Sequence, residues 1–255
     1  MSETTQRRLS DAEALSFDCY GTLIDWEAGL SAVLTPWARE HQLSLTPEQL
    51  LEAYAESEAQ VLRRTPTALY PDILAASMTA VGERIGVAVS AEQARRLAVS
   101  VPDWPAFPDS AAALAELATF YRLLILSNVD RASFAASNAR LGVHFDAIIT
   151  AQDVGSYKPA PANFTALRER AADLGIGEGR LLHVAQSLFH DHIPARHAGL
   201  ATVWIDRRRG RDGGGATPRP AEQVQPDWVF ASLADFAAAC AADHVDSGAS
   251  RSSRG

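Results

Sequence analysis

The sequence is poor in cysteine and has no long hydrophobic run, and both absences restrict the kinds of protein it can encode. Its 255 residues include two cysteines, Cys19 and Cys240, which lie far apart and fit no metal-site spacing. We therefore expect a reducing, cytoplasmic setting. No apolar stretch approaches the roughly 18 residues of a membrane-spanning helix, and the polar start has no signal-peptide hydrophobic region. The sequence therefore predicts no membrane association.

Positive charge is also scarce. Lysine and arginine total 23 against 31 aspartates and glutamates, which gives a formal net charge of −8. A broad basic surface for nucleic acid is therefore not expected. Hydrophobic residues make up 47% of the chain, which is enough for one large domain or for a core with an inserted segment.

Two patterns of hydrophobic residues divide the chain. Within residues 28–101, apolar positions recur every three or four residues, which predicts a helical cap. Elsewhere, short Leu, Ile and Val runs alternate with helix-like stretches, as in parallel strands covered on both faces. We predict an α/β fold whose core, a doubly wound Rossmann-like parallel sheet, is formed by residues 1–27 and 102–240. Composition favours a solvated loop at residues 207–220 and a disordered tail at residues 241–255.

Polar side chains follow four of the predicted strands. Asp18 ends the first strand, and Ser127 and Asn128 end the strand LLILSN. Lys158 follows IITAQD, and Asp191 follows LLHVAQS. Because ligands bind at the carboxyl ends of strands in open parallel sheets, we expect these side chains to meet. A carboxylate kept ionised by a neighbouring lysine can act as a nucleophile.

The four stretches FDCYGTL, LLILSN, SYKPAP and VAQSLFHD together resemble the motifs of the haloacid dehalogenase superfamily. An isolated Asp in a strand-end turn usually caps the turn, but here all four stretches occur in order and at strand ends. The resemblance extends from residue 14 to about residue 232. The inserted helical cap fits the subclass that carries its cap between the first two motifs.

Two positions distinguish this chain from the phosphatases of that superfamily. Phosphatases carry acids where this chain has Tyr20 and Gln186, and one of those acids helps to bind magnesium. Since a Mg²⁺ site needs several hard oxygen ligands, no metal or other cofactor is expected. Tyrosine at this position resembles the 2-haloacid dehalogenase branch. A departing halide needs no proton, and a tyrosine can stabilise it with its hydroxyl and its ring edge; packing beneath the cap is the alternative for Tyr20.

The resemblance implies a two-step hydrolysis of an (S)-2-haloacid. Asp18 attacks the halogen-bearing carbon with inversion, and water then hydrolyses the aspartyl ester to a 2-hydroxy acid. Lys158 would keep Asp18 ionised, and Asp191 would orient Lys158 or activate the water. The implied catalytic residues are Asp18, Thr22, Lys158 and Asp191. The implied substrate-binding residues are Tyr20, Ser127, Asn128, Gln186 and Ser187.

The fourth motif and the cap depart from the pattern of the dehalogenases. Leu188 stands where they carry a water-positioning Asn, and His190 or Gln186 is the candidate to replace it. Their halide-binding cap arginine has no clear counterpart, since Arg63 and Arg64 equally suit a solvated helix end. On the same helix, Glu58 would repel a halide and attract a cationic amine if it faced the site. The alternative is that it lies on a solvent-exposed face of the helix. Candidates for an apolar wall, or for ordinary core, are Trp26, Tyr70 and Trp104.

Four functions stay open at this level. The first is a metal-independent hydrolase acting on a short 2-substituted carboxylic acid, with a halide as leaving group. The second is the same covalent chemistry on another carbon electrophile, such as a strained cyclic amino acid. The third is a magnesium phosphatase, which Tyr20 and Gln186 disfavour. The fourth is a non-catalytic binding protein, which the set of strand-end residues disfavours. The oligomeric state is also open, with a homodimer among the possibilities.

Overall fold

Six parallel strands form one sheet in the computed structural model, which describes residues 7–210, 215–218 and 222–252. The strands are β1 (Ala14–Phe17), β2 (Arg122–Ser127), β3 (Ala147–Thr150), β4 (Leu181–Ala185), β5 (Ala201–Ile205) and β6 (Trp228–Phe230). Their order is β3-β2-β1-β4-β5-β6, so β1 is central and the direction of winding reverses beside it. The carboxyl end of β1 therefore opens into the crevice where ligands bind in doubly wound sheets.

The segment between β1 and β2 is a helical cap. Its helices are α1 (Trp26–Glu40), α2 (Pro47–Arg64), α3 (Tyr70–Ile85) and α4 (Ala91–Ala98). Two of these helices begin with a capping box. Thr46 caps α2 and exchanges hydrogen bonds with Gln49 in its first turn, and Ser90 caps α4 and does the same with Gln93. The first helix begins at Trp26, slightly before the predicted boundary of the cap.

Helices cover both faces of the sheet. The core helices are α5 (Ser110–Leu117), α6 (Arg131–Leu141), α7 (Ala151–Val154), α8 (Pro161–Asp173), α9 (Ile193–His197) and α10 (Leu233–Ser252). Leu15 and Phe17 pack in one hydrophobic cluster with α5, α6 and α10, whereas Ala14 packs in a second cluster with α8 and α9. Alternate residues of a strand face opposite sides, which explains its continuous apolar run. The predicted α/β class is confirmed.

The chain end corrects one prediction. Residues 241–252 continue α10 and are not a disordered tail. The backbone N–H of Ser10 donates to Asp243 Oδ2 at 2.8 Å, so this polar helix is held against the start of the chain. Such long-range contacts offset the entropy of ordering a polar segment, and its composition does not reveal them. Residues 253–255 of the predicted tail lie outside the described residues.

The loop after β5 connects the core to the cap. Arg208 forms ion pairs with Glu27 of α1 and Glu48 of α2. Arg207 pairs with Asp109, which precedes α5, at 2.9 Å. The loop therefore makes buried or half-buried contacts where its composition favours solvation. Across the part of the chain that the structure describes, every helix is too short or too polar to cross a membrane.

Candidate active site

Asp18 follows β1 directly, and its carboxylate is buried at the carboxyl end of the sheet. Its backbone N–H donates to the carbonyl of Val184 at 3.1 Å, so the pairing with β4 extends to this residue. The chain then turns at Gly21, whose φ of +92° strongly favours glycine. A Cβ at that position would also lie 3.0 Å from Trp26 Nε1. Sheet and turn together hold Asp18 in one position.

Lys158 joins the two carboxylates that the sequence places at strand ends. Its Nζ donates to Asp18 Oδ1 at 2.9 Å, to Asp191 Oδ1 at 2.6 Å and to the carbonyl of Leu126 at 2.9 Å. These three acceptors use every N–H of the ammonium group, which is 2% exposed. A buried charge is tolerated when its partners are complete in this way. The predicted proximity of Lys158, Asp18 and Asp191 is therefore present.

Thr22 holds the other oxygen of the candidate nucleophile. Its hydroxyl donates to Asp18 Oδ2 at 2.7 Å and accepts from the backbone N–H of Gln186 at 2.9 Å. Both oxygens of Asp18 thus have a protein donor, and the carboxylate plane is fixed. Gln186 in turn receives a hydrogen bond from Thr217 on its Oε1 at 3.2 Å.

The two carboxyl groups of this cluster differ in the direction in which their pKa is shifted. Burial raises the pKa of Asp18, and the charge of Asp191 raises it further, while Lys158 and Thr22 oppose the rise. Burial acts on the pKa of Asp191 in the same direction, but Lys158 and His183 outweigh it and hold that pKa well below its usual range. Burial likewise works against the charged form of Lys158, yet the two carboxylates raise its pKa. As the pH falls, Asp18 is therefore the carboxylate that takes up a proton first.

His183 is a member of the site that the sequence reasoning missed. It lies in the middle of β4, fully buried, with its Nε2 2.9 Å from Asp191 Oδ1. Its Nδ1 lies 2.9 Å from the hydroxyl of Ser16, its register partner on β1. The available signal was a pair of polar residues, Ser16 and His183, each inside an otherwise apolar strand.

The two polar residues at the end of β2 have different roles. Ser127 Oγ is buried and has no hydrogen-bond partner among the described residues. Asn128 instead accepts from the backbone N–H of Lys158 at 2.7 Å and donates to its carbonyl at 3.1 Å. Its amide therefore positions Lys158, and the predicted substrate contact of Asn128 stays a prediction.

Tyr20 contributes its ring to the site and directs its hydroxyl elsewhere. The hydroxyl lies 3.2 Å from the carbonyl of Ser133 and 2.7 Å from Ser137 Oγ, both on α6. The ring packs edge-on against Trp104, with centroids 5.5 Å apart. The hydroxyl already has these two partners on α6, and its predicted donation to a leaving group stays a prediction.

One cavity collects these groups between the cap and the sheet. It is partly open to solvent and is lined by Asp18, Lys158 and Asp191 together with aromatic rings. Trp26 and Tyr70 line it, whereas Trp104 is buried outside its lining.

The cap contributes an acid to this cavity. Glu58 lines the wall, and its Oε1 accepts from Tyr54 at 2.7 Å and from Tyr70 at 3.3 Å. Burial raises the pKa of Glu58 to about 7, against the two tyrosine hydrogen bonds. Arg63 and Arg64 are exposed at the end of α2, and no arginine is among the described residues that line the cavity.

The fourth motif ends in a π-helical turn (Leu188–His192) that carries Asp191. Ser187 caps this turn, since its Oγ accepts from the backbone N–H of His190 at 2.9 Å. Ser187, Gln186 and His190 all line the cavity. Every substrate-binding residue that was predicted, apart from Ser127, therefore contributes to its wall.

The side chains do not fit a magnesium site. The ammonium of Lys158 lies between Asp18 and Asp191, where a cation would otherwise bind. Within the described residues, no group of three or more His, Cys, Asp or Glu side chains could hold a metal ion. Tyr20 and Gln186 add no carboxylate, and Mg²⁺ usually depends on carboxylates.

Comparisons with known proteins agree with this fold. A family model for haloacid dehalogenase-like hydrolases matches residues 12–184. A search of curated proteins finds no match. A defluorinating L-2-haloacid dehalogenase has a similar structure, with 22% identity and a TM-score of 0.72 over 91% of this chain and 97% of the other. An L-2-haloacid dehalogenase from Xanthobacter autotrophicus, with chloropropionic acid covalently bound, has 20% identity and a TM-score of 0.70 over 89% and 97%.

A magnesium-bound structure also shares the fold. The Bacillus subtilis protein YfnB is 18% identical, with a TM-score of 0.68 over 90% of this chain and 97% of its own. At such identities these likenesses concern the fold alone. The choice between metal-free and metal-dependent chemistry therefore depends on the side chains of the site.

Proposed function

Because the chain belongs to the haloacid dehalogenase-like hydrolase family, we propose that it is a metal-independent hydrolase of the 2-haloacid dehalogenase type. Its substrate is a short carboxylic acid with a halide on the neighbouring carbon. The observation that carries the proposal is the Asp18 carboxylate, which is held by Lys158 and Thr22 and borders the cavity beneath the cap. A fixed, charge-paired carboxylate of this kind is suited to covalent catalysis.

In the first half-reaction an oxygen of Asp18 attacks the substituted carbon. The carbon–halogen bond breaks, its electron pair leaves with the halide, and an aspartyl ester forms. In the second half-reaction water attacks Cγ of Asp18, and a 2-hydroxy acid is released.

Glu58 favours a second candidate function. Although burial raises the pKa of Glu58 to about 7, its carboxylate is mostly ionised at pH 8. It has no cationic partner among the described residues, so the cap wall then carries a negative charge. An acidic wall suits a cationic group next to the reacting carbon, as in a strained cyclic amino acid. The covalent chemistry of Asp18 would be the same.

The two candidates predict opposite effects of one substitution. Glu58→Gln removes a negative charge from the wall, so at pH 8 it should lower KM for an anionic 2-haloacid. For a substrate with a cationic amine the same change should raise KM. Steady-state kinetics of the parent protein and of Glu58→Gln on both substrate classes decide between the two candidate functions. The supported candidate is the one whose substrate class is turned over and shows the KM change predicted for it.

The proposal itself is tested by halide release from S-2-chloropropionate. The parent protein should release halide and form lactate, and a chelator should leave the rate unchanged. Asp18→Asn should abolish both products. Asp25→Asn is the matched control, because Asp25 caps α1 through its side chain and asparagine caps equally well. Loss of activity with the chelator, restored by Mg²⁺, would contradict the metal-free mechanism.

A further inference from the structure

The π-helical turn after β4 places a histidine in the cavity, next in sequence to Asp191. His190 lines the cavity together with Asp18 and is partly exposed. Its Nδ1 lies 3.2 Å from Ser187 Oγ, whereas its Nε2 has no hydrogen-bond partner among the described residues. One nitrogen is thus engaged by the protein, and the other is available to a molecule in the cavity.

The ring of His190 is oriented by its neighbours. The backbone N–H of His190 donates to Ser187 Oγ at 2.9 Å, which brings that oxygen within reach of Nδ1. The ring of Phe189 stands edge-on to it, with centroids 4.8 Å apart. If Nδ1–H donates to Ser187, the lone pair of Nε2 is free to accept a proton. This is the tautomer that a general base needs.

We propose that His190 is the general base of the second half-reaction, a role that rests on the covalent mechanism proposed above. Nε2 takes a proton from water, and the water oxygen attacks Cγ of the Asp18 ester. The bond between Cγ and the ester oxygen then breaks, and its electron pair goes to that oxygen. The oxygen takes the proton back from His190 and leaves as the 2-hydroxy acid. Asp18 returns to its carboxylate form by releasing a proton.

Asp191 and Leu188 are less suited to this role. Asp191 Oδ1 already accepts from Lys158 at 2.6 Å and lies 2.9 Å from His183 Nε2. The Asp191 carboxylate is thus already paired with two neighbours, whereas Nε2 of His190 has no partner among the described residues. Leu188 has no polar side-chain atom with which to hold a water molecule. Asp191 therefore serves to position Lys158.

The charge state of His190 agrees with the role. Burial lowers the pKa of His190 to about 4, Asp191 opposes this shift, and Lys158 adds to it. The ring is thus neutral near pH 7, as a base must be. The other ionisable groups that line the cavity are Asp18, Tyr20, Glu58, Tyr70 and Tyr157. Ester formation removes the charge of Asp18, so ester hydrolysis should slow only as the pH falls towards 4.

The test is rapid-quench kinetics with excess S-2-chloropropionate, in which halide and the mass of the peptide carrying Asp18 are both followed. In His190→Asn we expect a burst of one halide per protein at the parent rate, followed by an accumulated ester. Steady-state turnover should fall by about 10²–10⁴-fold, the usual contribution of a general base. His190→Gln, with a longer amide side chain, should behave in the same way and is a second check if the first variant folds poorly.

His192→Gln is the matched control. His192 lies on the same π-helical turn, but its Nε2 pairs with the carbonyl of Ala185 at 2.9 Å and it does not line the cavity. His192→Gln should release the halide burst and hydrolyse the ester at the rates of the parent protein. Parent-like ester hydrolysis in both His190 variants, or equal slowing of burst and hydrolysis, would overturn the proposal. Absence of both halide and ester in the parent protein would instead overturn the proposed function on which it rests.

Discussion

Lys158 is the only lysine among the 23 lysines and arginines of the chain. Its compact ammonium meets three acceptors in a tight space, and a planar guanidinium cannot reproduce that arrangement. Charge alone is therefore not sufficient at this position. The geometry of the three donors matters as much.

Two substitutions separate the charge of Lys158 from its geometry. Lys158→Met leaves two buried carboxylates without a cation, which should cost about 3–5 kcal/mol of unfolding free energy and abolish turnover. Lys158→Arg keeps the charge and should still lose at least about a hundredfold in turnover, because it cannot hold Asp18 in the same way. Urea unfolding and halide release measure the two effects. Near-parent turnover in Lys158→Arg would contradict the geometric role.

Glu58 makes a separate prediction about stability and pH. Its pKa is raised to about 7 from 4.5, so its ionisation opposes folding as the pH rises through that interval. The cost is absent below about pH 4.5 and reaches about 3 kcal/mol above pH 7. Glu58→Gln should therefore be more stable than the parent at pH 8, and the difference should vanish near pH 4.5.

Unfolding by urea at several pH values measures this difference. Glu56→Gln is the control, because Glu56 lies on the same helix and its side chain is 63% exposed. Glu56→Gln should show the same dependence of the unfolding free energy on pH as the parent protein. If the difference in unfolding free energy between Glu58→Gln and the parent stayed constant from pH 5 to pH 8, the ionisation of Glu58 would not cost folding free energy.

A substitution at Tyr20 tests whether its hydroxyl takes part in turnover. Tyr20→Phe removes hydrogen bonds to Ser133 and Ser137, so stability should fall by about 1 kcal/mol. Turnover should stay within a few-fold of the parent, because the ring keeps its place in the wall. A loss of about 10²-fold or more would instead restore the hydroxyl as a donor to the leaving group.

At the scale of elements, the loop after β5 acts as a connection between core and cap. Arg208 reaches Glu27 and Glu48 on two cap helices, and Arg207 anchors the loop to Asp109 in the core. The cap that carries Glu58 is thereby held over Asp18. Loosening the loop should affect substrate binding more than chemistry.

Arg208→Ala tests this connection. It should raise KM several-fold with little change in kcat, because the cap wall is less firmly held while the strand-end residues are untouched. Arg209→Ala is the matched control, since the adjacent Arg209 is exposed. Equal KM values in the two variants would show that the loop does not support the cavity.

Secondary-structure elements were predictable to different degrees. The period of the apolar residues indicates the cap helices and the parallel strands, because both depend on local sequence. The order of α10 over residues 241–252 depends on distant contacts, among them Ser10 with Asp243. Composition could not reveal these. The same holds for Arg207 and Arg208, whose acidic partners lie far away in sequence.

At the scale of the whole molecule, the topology is what made the site predictable. Asp18, Lys158 and Asp191 are separated by up to 173 residues, yet parallel strands bring their carboxyl ends to one edge. Their convergence follows from strand order. His183 was missed because it points into the sheet packing from within a strand, where a single histidine is indistinguishable from core. The direction of the Tyr20 hydroxyl depends on α6, which no local pattern indicates.

The central claim is that Asp18 forms a covalent ester, and single turnover in ¹⁸O water with excess protein tests it most directly. After one turnover of S-2-chloropropionate, mass spectrometry should find ¹⁸O in the peptide carrying Asp18 and none in the lactate formed. This distribution follows because water attacks Cγ of Asp18 and the substrate carbon keeps an oxygen from the protein. Label in the lactate with none in Asp18 would mean that water attacks the substrate directly, which would contradict the account.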